Sequence, residues 1–151
     1  MPLATSNIEN KTAVVGSIAG QVAPGAGYYV LNFGLQLASM TTAAADLVTG
    51  LTLGHRGKIV AIYFTTTTLG TGSGASQVIN LEIGTTNLTG GVLTLLLADT
   101  TPLGKTTAAT AITANNEFSA TDAISVEFAA SGTVFTAGNG TLSIVIQNLE
   151  G

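Results

Sequence analysis

Short runs in which apolar and polar residues alternate, separated by glycine-rich turns, constrain the fold of this chain most strongly. Ile79, Leu81 and Ile83 alternate with polar residues, and the segment 141–147 shows the same period of two. Successive side chains of a β-strand point to opposite faces, so this period predicts strands with one buried face. No long segment shows the 3.6-residue period of a capped amphipathic helix, and the chain is therefore predicted to be all-β.

The spacing of these runs predicts about eight antiparallel strands in one domain, residues 28–151. A single jelly-roll-like β-sandwich is the most economical arrangement of that number of strands. An immunoglobulin-like sandwich is the alternative, but the chain lacks the cysteine and tryptophan typical of that fold. Residues 40–50 are interpreted as a small-residue linker, and Asn139-Gly140 as a hairpin turn, because that dipeptide favours tight hairpins.

Residues 57–68 form the longest predicted strand, and the first half of it is apolar on both faces. Such a strand is predicted to lie in mid-sheet, beneath a second layer or another subunit. Strict alternation puts Tyr63 on one face with Ile59 and predicts a core position for it. The opposite face is predicted to carry Ile62 and Phe64.

The first 27 residues differ from the rest of the chain and are predicted to form an extended N-terminal arm. Val14, Val15 and Ile18 lie there among several glycines and a proline. This pattern is typical of a segment that becomes ordered against a neighbouring molecule, and a frayed terminus is the alternative.

Charged residues are scarce in this chain, which argues against partners that are bound mainly through charge. Only 8% of the 151 residues are charged, four of them basic, and the formal net charge is −4. Binding to nucleic acid or to an anionic membrane requires a basic surface, so neither partner is expected. A surface of threonine, serine and glycine can be covered by protein with little desolvation of charge. This composition favours a protein that works as part of an assembly. A monomer with a threonine-rich β surface is the alternative.

No group of residues matches a known reaction centre, so the chain is not expected to be an enzyme or to take a small-molecule substrate. It has no cysteine, and its single histidine, His55, has no accompanying nucleophile motif. Glu82 and Glu127 could approach each other if their strands pair, but both should face outward. No acidic loop has the spacing of a calcium site, and no metal or cofactor is expected.

His55, Arg56 and Lys58 form the only basic cluster of the sequence, at the start of the long strand. It either meets an acidic patch on a partner or is a solvated strand entry.

Five segments of the chain resemble the head decoration (cement) proteins of tailed bacteriophages. They are turn and core patterns and contain no catalytic signature. The segments are residues 80–91 (NLEIGTTNLTGG), 57–59 (GKI), 100–104 (TTPLG), 120–126 (ATDAISV) and 140–148 (GTLSIVIQN).

This resemblance, which covers residues 45–149, implies a structural virion protein on the outer surface of a phage capsid, made in the cytoplasm of the bacterial host. Such proteins assemble, usually as homotrimers, over junctions between major capsid protein subunits and stabilise the shell. The expected partners are thus the major capsid protein and copies of this chain. The candidate contact residues are Val14, Val15, Ile18, Tyr28, Tyr29, His55, Arg56 and Lys58.

Two alternatives stay open. A trimeric fibre or receptor-binding tip is also rich in β-structure, and should expose aromatic or acidic clusters that bind sugars. A carbohydrate-binding β-sandwich module needs a planar aromatic face. Tyr28, Tyr29 and Tyr63 are the only tyrosines that could form one, and the chain has no tryptophan.

Overall fold

A computed structural model describes residues 27–41 and 45–150, and ten strands and two short 3-10 helices lie in these ranges. No helix within them is long and apolar enough to cross a membrane. The helices are Leu37–Ser39 and Leu97–Thr100. The strands are β1 (Tyr28–Gln36), β2 (Ala45–Leu51), β3 (Gly57–Thr71), β4 (Ser76–Ile83), β5 (Thr86–Asn87), β6 (Leu93–Leu96), β7 (Thr106–Ala108), β8 (Glu117–Phe118), β9 (Ile124–Ser131) and β10 (Ala137–Asn148).

The strands form two antiparallel sheets that pack face to face. The first sheet has the order β1-β10-β3-β7, with β8 also paired to β3. The second has the order β2-β9-β4-β5, with β6 also paired to β4. If β5 with β6, and β7 with β8, are each counted as one interrupted strand, the orders become 1-8-3-6 and 2-7-4-5. This is the strand order of a jelly roll, so the predicted jelly-roll-like β-sandwich is confirmed.

The interruption between β7 and β8 arises because the chain changes partner. Backbone hydrogen bonds join this segment to the loop after β5, including Gly91 N–H to Thr110 O (3.1 Å) and Thr89 N–H to Ala114 O (3.0 Å). Gly90 permits this approach, since its φ is +81° and a Cβ there would overlap the carbonyl group of Ala111.

The core lies between the sheets and follows the predicted alternation. Leu81 of β4 and Ile144 of β10 are each 1% exposed, while Glu82 and Val145, the next residues in their strands, lie on the outer faces. Burial of these apolar faces is the main favourable term for such a sandwich. The largest fully buried side chains are Phe64, Phe128, Phe135, Leu37, Met40, Ile59, Ile79, Leu81, Leu93, Leu95, Ile124 and Leu142.

Two local predictions are wrong. The segment 40–50, interpreted as a linker, contains most of β2, which pairs with β9. Asn139-Gly140 lies inside β10 and makes no hairpin turn. Gly140 is needed there for packing, because a Cβ on it would overlap the ring of Phe64 in the neighbouring strand.

The position of β3 in mid-sheet is confirmed, but Tyr63 is not a core residue. Val145 lies opposite Ala61 and Ile146 lies opposite Ile59, so Val60 is an extra residue at a β-bulge. The bulge shifts the alternation by one position. Tyr63 therefore lies on the outer face, 37% exposed, and that face of β3 has no covering layer among the described residues.

Candidate functional site

Five of the predicted contact residues lie together at one end of the first sheet, here called the His55 end: Tyr28, Tyr29, His55, Arg56 and Lys58. Tyr28 begins β1, and Lys58 is the second residue of β3. Gln147 of β10 lies opposite both of them, so these three residues form one row across the outer face. The other three predicted contact residues, Val14, Val15 and Ile18, lie outside the described residues.

His55 is held in one orientation by two hydrogen bonds. Its Nδ1 lies 3.1 Å from the carbonyl oxygen of Arg56, and its Nε2 lies 2.5 Å from the hydroxyl of Tyr29. Because a carbonyl only accepts, Nδ1 carries a proton, and in the neutral imidazole Nε2 then accepts from the Tyr29 hydroxyl. Burial raises the pKa of Tyr29, which keeps this hydroxyl protonated.

Two aromatic side chains flank this histidine. The rings of Tyr29 and Phe118 lie beside it, with centroids 5.5 and 5.9 Å away. No serine or carboxylate among the described residues is hydrogen-bonded to the imidazole, as a nucleophile-activating dyad requires. The arrangement therefore fixes the turn before β3 against β1.

The basic side chains of the His55 end are balanced by nearby carboxylates. The Glu117 carboxylate lies 3.9 Å from the Arg56 guanidinium and 3.8 Å from the Lys58 ammonium group. Glu150 accepts a hydrogen bond from the Arg56 backbone N–H at 3.0 Å. Exposed ion pairs of this length contribute little to stability. They do reduce the net charge of this end, which a protein partner could then cover at small electrostatic cost.

The outer face of the first sheet continues from the His55 end as a surface without carboxylates, here called the neutral face. It consists of small, apolar and uncharged polar side chains, and Lys58 marks its boundary. Tyr28 and Val30 are 63% and 48% exposed. The register of β1, β10 and β3 places the residues of this face in adjacent rows. They are Tyr28, Val30, Asn32, Ala61, Tyr63, Ser143 and Val145.

A shallow open groove of about 260 Å³ borders the neutral face, between β3 and the segment after β7. Ala61, Tyr63 and Ala108 line it along with other mainly aliphatic residues. The residues that line it include no carboxylate, imidazole or amine.

The outer face of the second sheet carries three carboxylates in close proximity, here called the acid cluster: Asp46, Glu82 and Glu127. Glu127 lies opposite Asp46 on one side and Asn80 on the other. The three residues each present a carboxylate oxygen within 4.8 Å of the others. Burial, followed by the charges of Glu127 and Asp46, raises the pKa of Glu82. No salt bridge links the cluster to a basic side chain in the described part of the chain.

Sequence reasoning found two of these three acids. The outward orientation of Glu82 and Glu127 and the pairing of their strands are both observed. Asp46 was missed because the segment 40–50 was interpreted as a linker. Leu47 and Leu51, whose side chains are partly buried, were a weak signal that this segment is a strand.

Comparisons with known proteins identify the fold. No family model and no curated protein matches this chain. A chain in the solved capsid of Ralstonia phage GP4 is similar, with 17% identity, a TM-score of 0.50, and coverage of 82% of this chain and 86% of that chain. A chain in the acid-stable capsid of Helicobacter pylori bacteriophage KHP30 is 15% identical, with a TM-score of 0.43 and coverage of 80% and 86%. Both structures are phage capsids, and the likeness to the first shows a shared fold.

Proposed function

We propose that this chain is a structural virion protein that binds the outer surface of a phage capsid. It acts as a trimer over junctions between major capsid protein subunits and stabilises the shell. The observation that carries the proposal is the fold that this chain shares with a chain in the GP4 capsid, aligned over 82% of one and 86% of the other. Its partners are the major capsid protein and copies of itself, without nucleic acid, membrane or small-molecule substrate. It is made in the cytoplasm of the bacterial host.

The neutral face and the His55 end form the surface that contacts the shell in this proposal. Burying this surface against protein requires the removal of water from two carboxylates, and both already have partners. Glu117 faces Arg56 and Lys58, and Glu150 accepts a hydrogen bond from the Arg56 backbone N–H. Covering the acid cluster would instead desolvate three like charges, which is costly. Many such modest contacts, repeated in each trimer, add up by avidity across a capsomer junction.

The N-terminal arm, residues 1–27, supplies a second contact in this proposal. Val14, Val15 and Ile18 give it apolar side chains, and it precedes β1 directly. An extended segment of this kind can add a strand to a sheet of the capsid or of a neighbouring subunit.

Sedimentation with undecorated shells, assembled from the major capsid protein of the same phage, tests the proposal. The full-length protein should pellet with the shells, and electron microscopy should show threefold density on their outside. Ala61→Glu buries an unpaired carboxylate in the proposed contact and should weaken binding about tenfold or more. Thr94→Glu is the matched control, because Thr94 is exposed on the outer face of the second sheet.

Three outcomes are informative. Absence of wild-type binding contradicts the proposed function. Loss of binding in Thr94→Glu but not in Ala61→Glu would show that the second sheet, and not the neutral face of the first, contacts the shell. Deletion of residues 1–26 should abolish binding while the circular dichroism of the sandwich persists, and unchanged binding would exclude the arm.

A carbohydrate-binding module, or a trimeric fibre tip with the same ligand, is the second candidate. The observation that favours it is that Tyr28 and Tyr63 are both exposed on the neutral face. Exposed aromatic rings can stack on sugars. Binding of the purified protein to a glycan array, with loss in Tyr63→Ala, would support this candidate in place of the capsid.

A further inference from the structure

Strand β1 forms one edge of the first sheet, and its own nine residues include none of the charges, prolines or bulges that usually protect an edge. Its nine residues, YYVLNFGLQ, include no charged residue and no proline. Its pairing with β10 runs from Tyr28 to Gln36 without a bulge. Within the described residues, no strand pairs with its other side. Natural proteins usually interrupt such edges with lysine, proline or bulges, because a flat, uncharged edge accepts another strand.

An edge strand of the second sheet shows the contrast. Strand β2 is the edge of the second sheet and carries Asp46, and its pairing with β9 has two register shifts. A charge and a distorted register both discourage pairing with a further strand. The open edge of β1 is thus a feature of one sheet and not of the whole fold.

The hydrogen-bonding pattern shows which backbone groups of β1 are free. The Asn148 N–H donates to Gly27 O at 2.8 Å, so the residues of β1 at odd positions from Tyr29 onward bond to β10. The backbone groups at even positions therefore point away from the sheet. They belong to five exposed residues: Tyr28, Val30, Asn32, Gly34 and Gln36. The carbonyl of Gln36 is the exception, because Gln36 is the N-cap of the 3-10 helix Leu37–Ser39 and its carbonyl accepts a hydrogen bond within that helix.

These free groups have a self-complementary spacing. If β1 of a second copy lies antiparallel with Asn32 on the twofold axis, Tyr28 faces Gln36 and Val30 faces Gly34. Every residue with outward backbone groups then meets another such residue, which allows about eight hydrogen bonds once the two Gln36 carbonyls are left out. We propose that the edge of β1 is a twofold interface at which two copies of this chain join their first sheets into one.

The side chains agree with this pairing. Leu31 would lie opposite Phe33, and Tyr29 opposite Leu35, on the inner face. Tyr29, Leu31 and Phe33 are only partly buried in the single chain, although they pack against the core. A second copy would cover their remaining apolar surface. No like charges would face each other, because β1 has none.

Light scattering on a sizing column tests the proposal with the full-length protein over a hundredfold range of concentration. The expected mass at high concentration is 30 kDa, twice the 15.0 kDa of one chain. It becomes 90 kDa, six times 15.0 kDa, if the proposed threefold contact also forms in solution. A mass of 15 or 45 kDa throughout overturns the proposal, because an odd number of chains cannot satisfy a twofold contact. That result is also expected if residues 1–26 cover the edge of their own β1.

Asn32→Asp provides the sharpest variant. The carboxylate that this substitution introduces would still accept the hydrogen bond that Ser143 donates to Asn32 at 2.7 Å, so the fold should persist. Across the twofold axis, two carboxylates would face each other and should weaken association at least tenfold at neutral pH. Association should return near pH 3, below the ordinary aspartate pKa of about 3.9. Asn87→Asp, an exposed position in the second sheet, adds the same charge and should leave the mass unchanged.

Val30→Pro tests the backbone bonds without adding a charge. The Val30 N–H points to the free edge, so proline removes a donor that the isolated chain does not use. The variant should be folded and monomeric, or trimeric if the threefold contact forms. If both variants keep a mass that corresponds to an even number of chains, another surface joins the copies. A dimer that fails to bind shells would leave this proposal standing and would contradict only the proposed function.

Discussion

The inner faces of the two sheets are both apolar, whereas their outer faces differ in charge. Phe64 in the first sheet and Phe128 in the second are both fully buried between them. Outside, the first sheet presents the neutral face, whereas the second presents the acid cluster. An uncharged face can be covered by protein at low cost, and a face with three unpaired carboxylates resists being covered. The difference indicates which side of the sandwich is suited to an assembly.

The largest expected effect tests whether the two inner faces really are equivalent. Phe64→Ala and Phe128→Ala each remove a fully buried ring, and each should lower the free energy of unfolding by about 3–5 kcal/mol. Urea denaturation, followed by circular dichroism, measures both. Phe64→Leu and Phe128→Leu are the matched controls and should cost less, because a smaller cavity remains. If only one alanine variant is destabilised, the sheets do not unfold as one unit.

A buried amide connects the two sheets and gives the next largest effect. Gln77 of β4 is fully buried, and its Nε2 donates to the carbonyl oxygens of Leu37 (2.7 Å) and Met40 (3.1 Å), which follow β1. Gln77→Leu would remove the donor from the Met40 carbonyl oxygen and leave the Leu37 carbonyl oxygen with the Met40 N–H alone, at 3.2 Å. The substitution should cost about 1–3 kcal/mol in urea denaturation. Gln36→Leu is the control, because Gln36 is exposed and should change stability by less than about 0.5 kcal/mol. Equal effects would show that the connection does not stabilise the sandwich.

The inner faces could be predicted from the sequence, because alternation depends only on neighbouring residues. Leu81 and Ile144 are buried as their patterns indicate. Tyr63 could not be placed, because the bulge at Val60 depends on the partner strand β10. A bulge in one strand reverses the face of every residue that follows it.

The outer faces needed the strand order, which the sequence does not specify. Asp46 and Glu82 are 36 positions apart and meet only because β2 and β4 both flank β9. The His55 end likewise depends on β1 and β3 both pairing with β10. Its grouping was predicted only in part. His55, Arg56 and Lys58 are close together in the sequence, whereas Tyr28 and Tyr29 lie far from them in sequence, on β1.

The smallest expected effect distinguishes the two outer faces by their electrostatics. The folded protein raises the pKa of Glu82 above its usual 4.5, so the protonated form fits the fold better than the carboxylate. The contribution of Glu82 to stability is therefore full below about pH 4.5, and it is lost as the pH rises through the raised pKa. Glu82→Gln removes the charge and should increase the free energy of unfolding at pH 7 by about 0.5 kcal/mol.

The pH dependence makes this test specific to the acid cluster. Near pH 4 the wild-type carboxyl is largely protonated, so the advantage of Glu82→Gln in urea denaturation should shrink. It should also shrink in 1 M salt, which screens exposed charges. Glu117→Gln at the His55 end is the control. Because Glu117 faces Arg56 and Lys58, removing its charge should leave the free energy of unfolding unchanged or lower it. If both variants stabilise the protein at pH 7, net negative charge alone explains the gain, and the acid cluster is not a distinct feature of the second sheet.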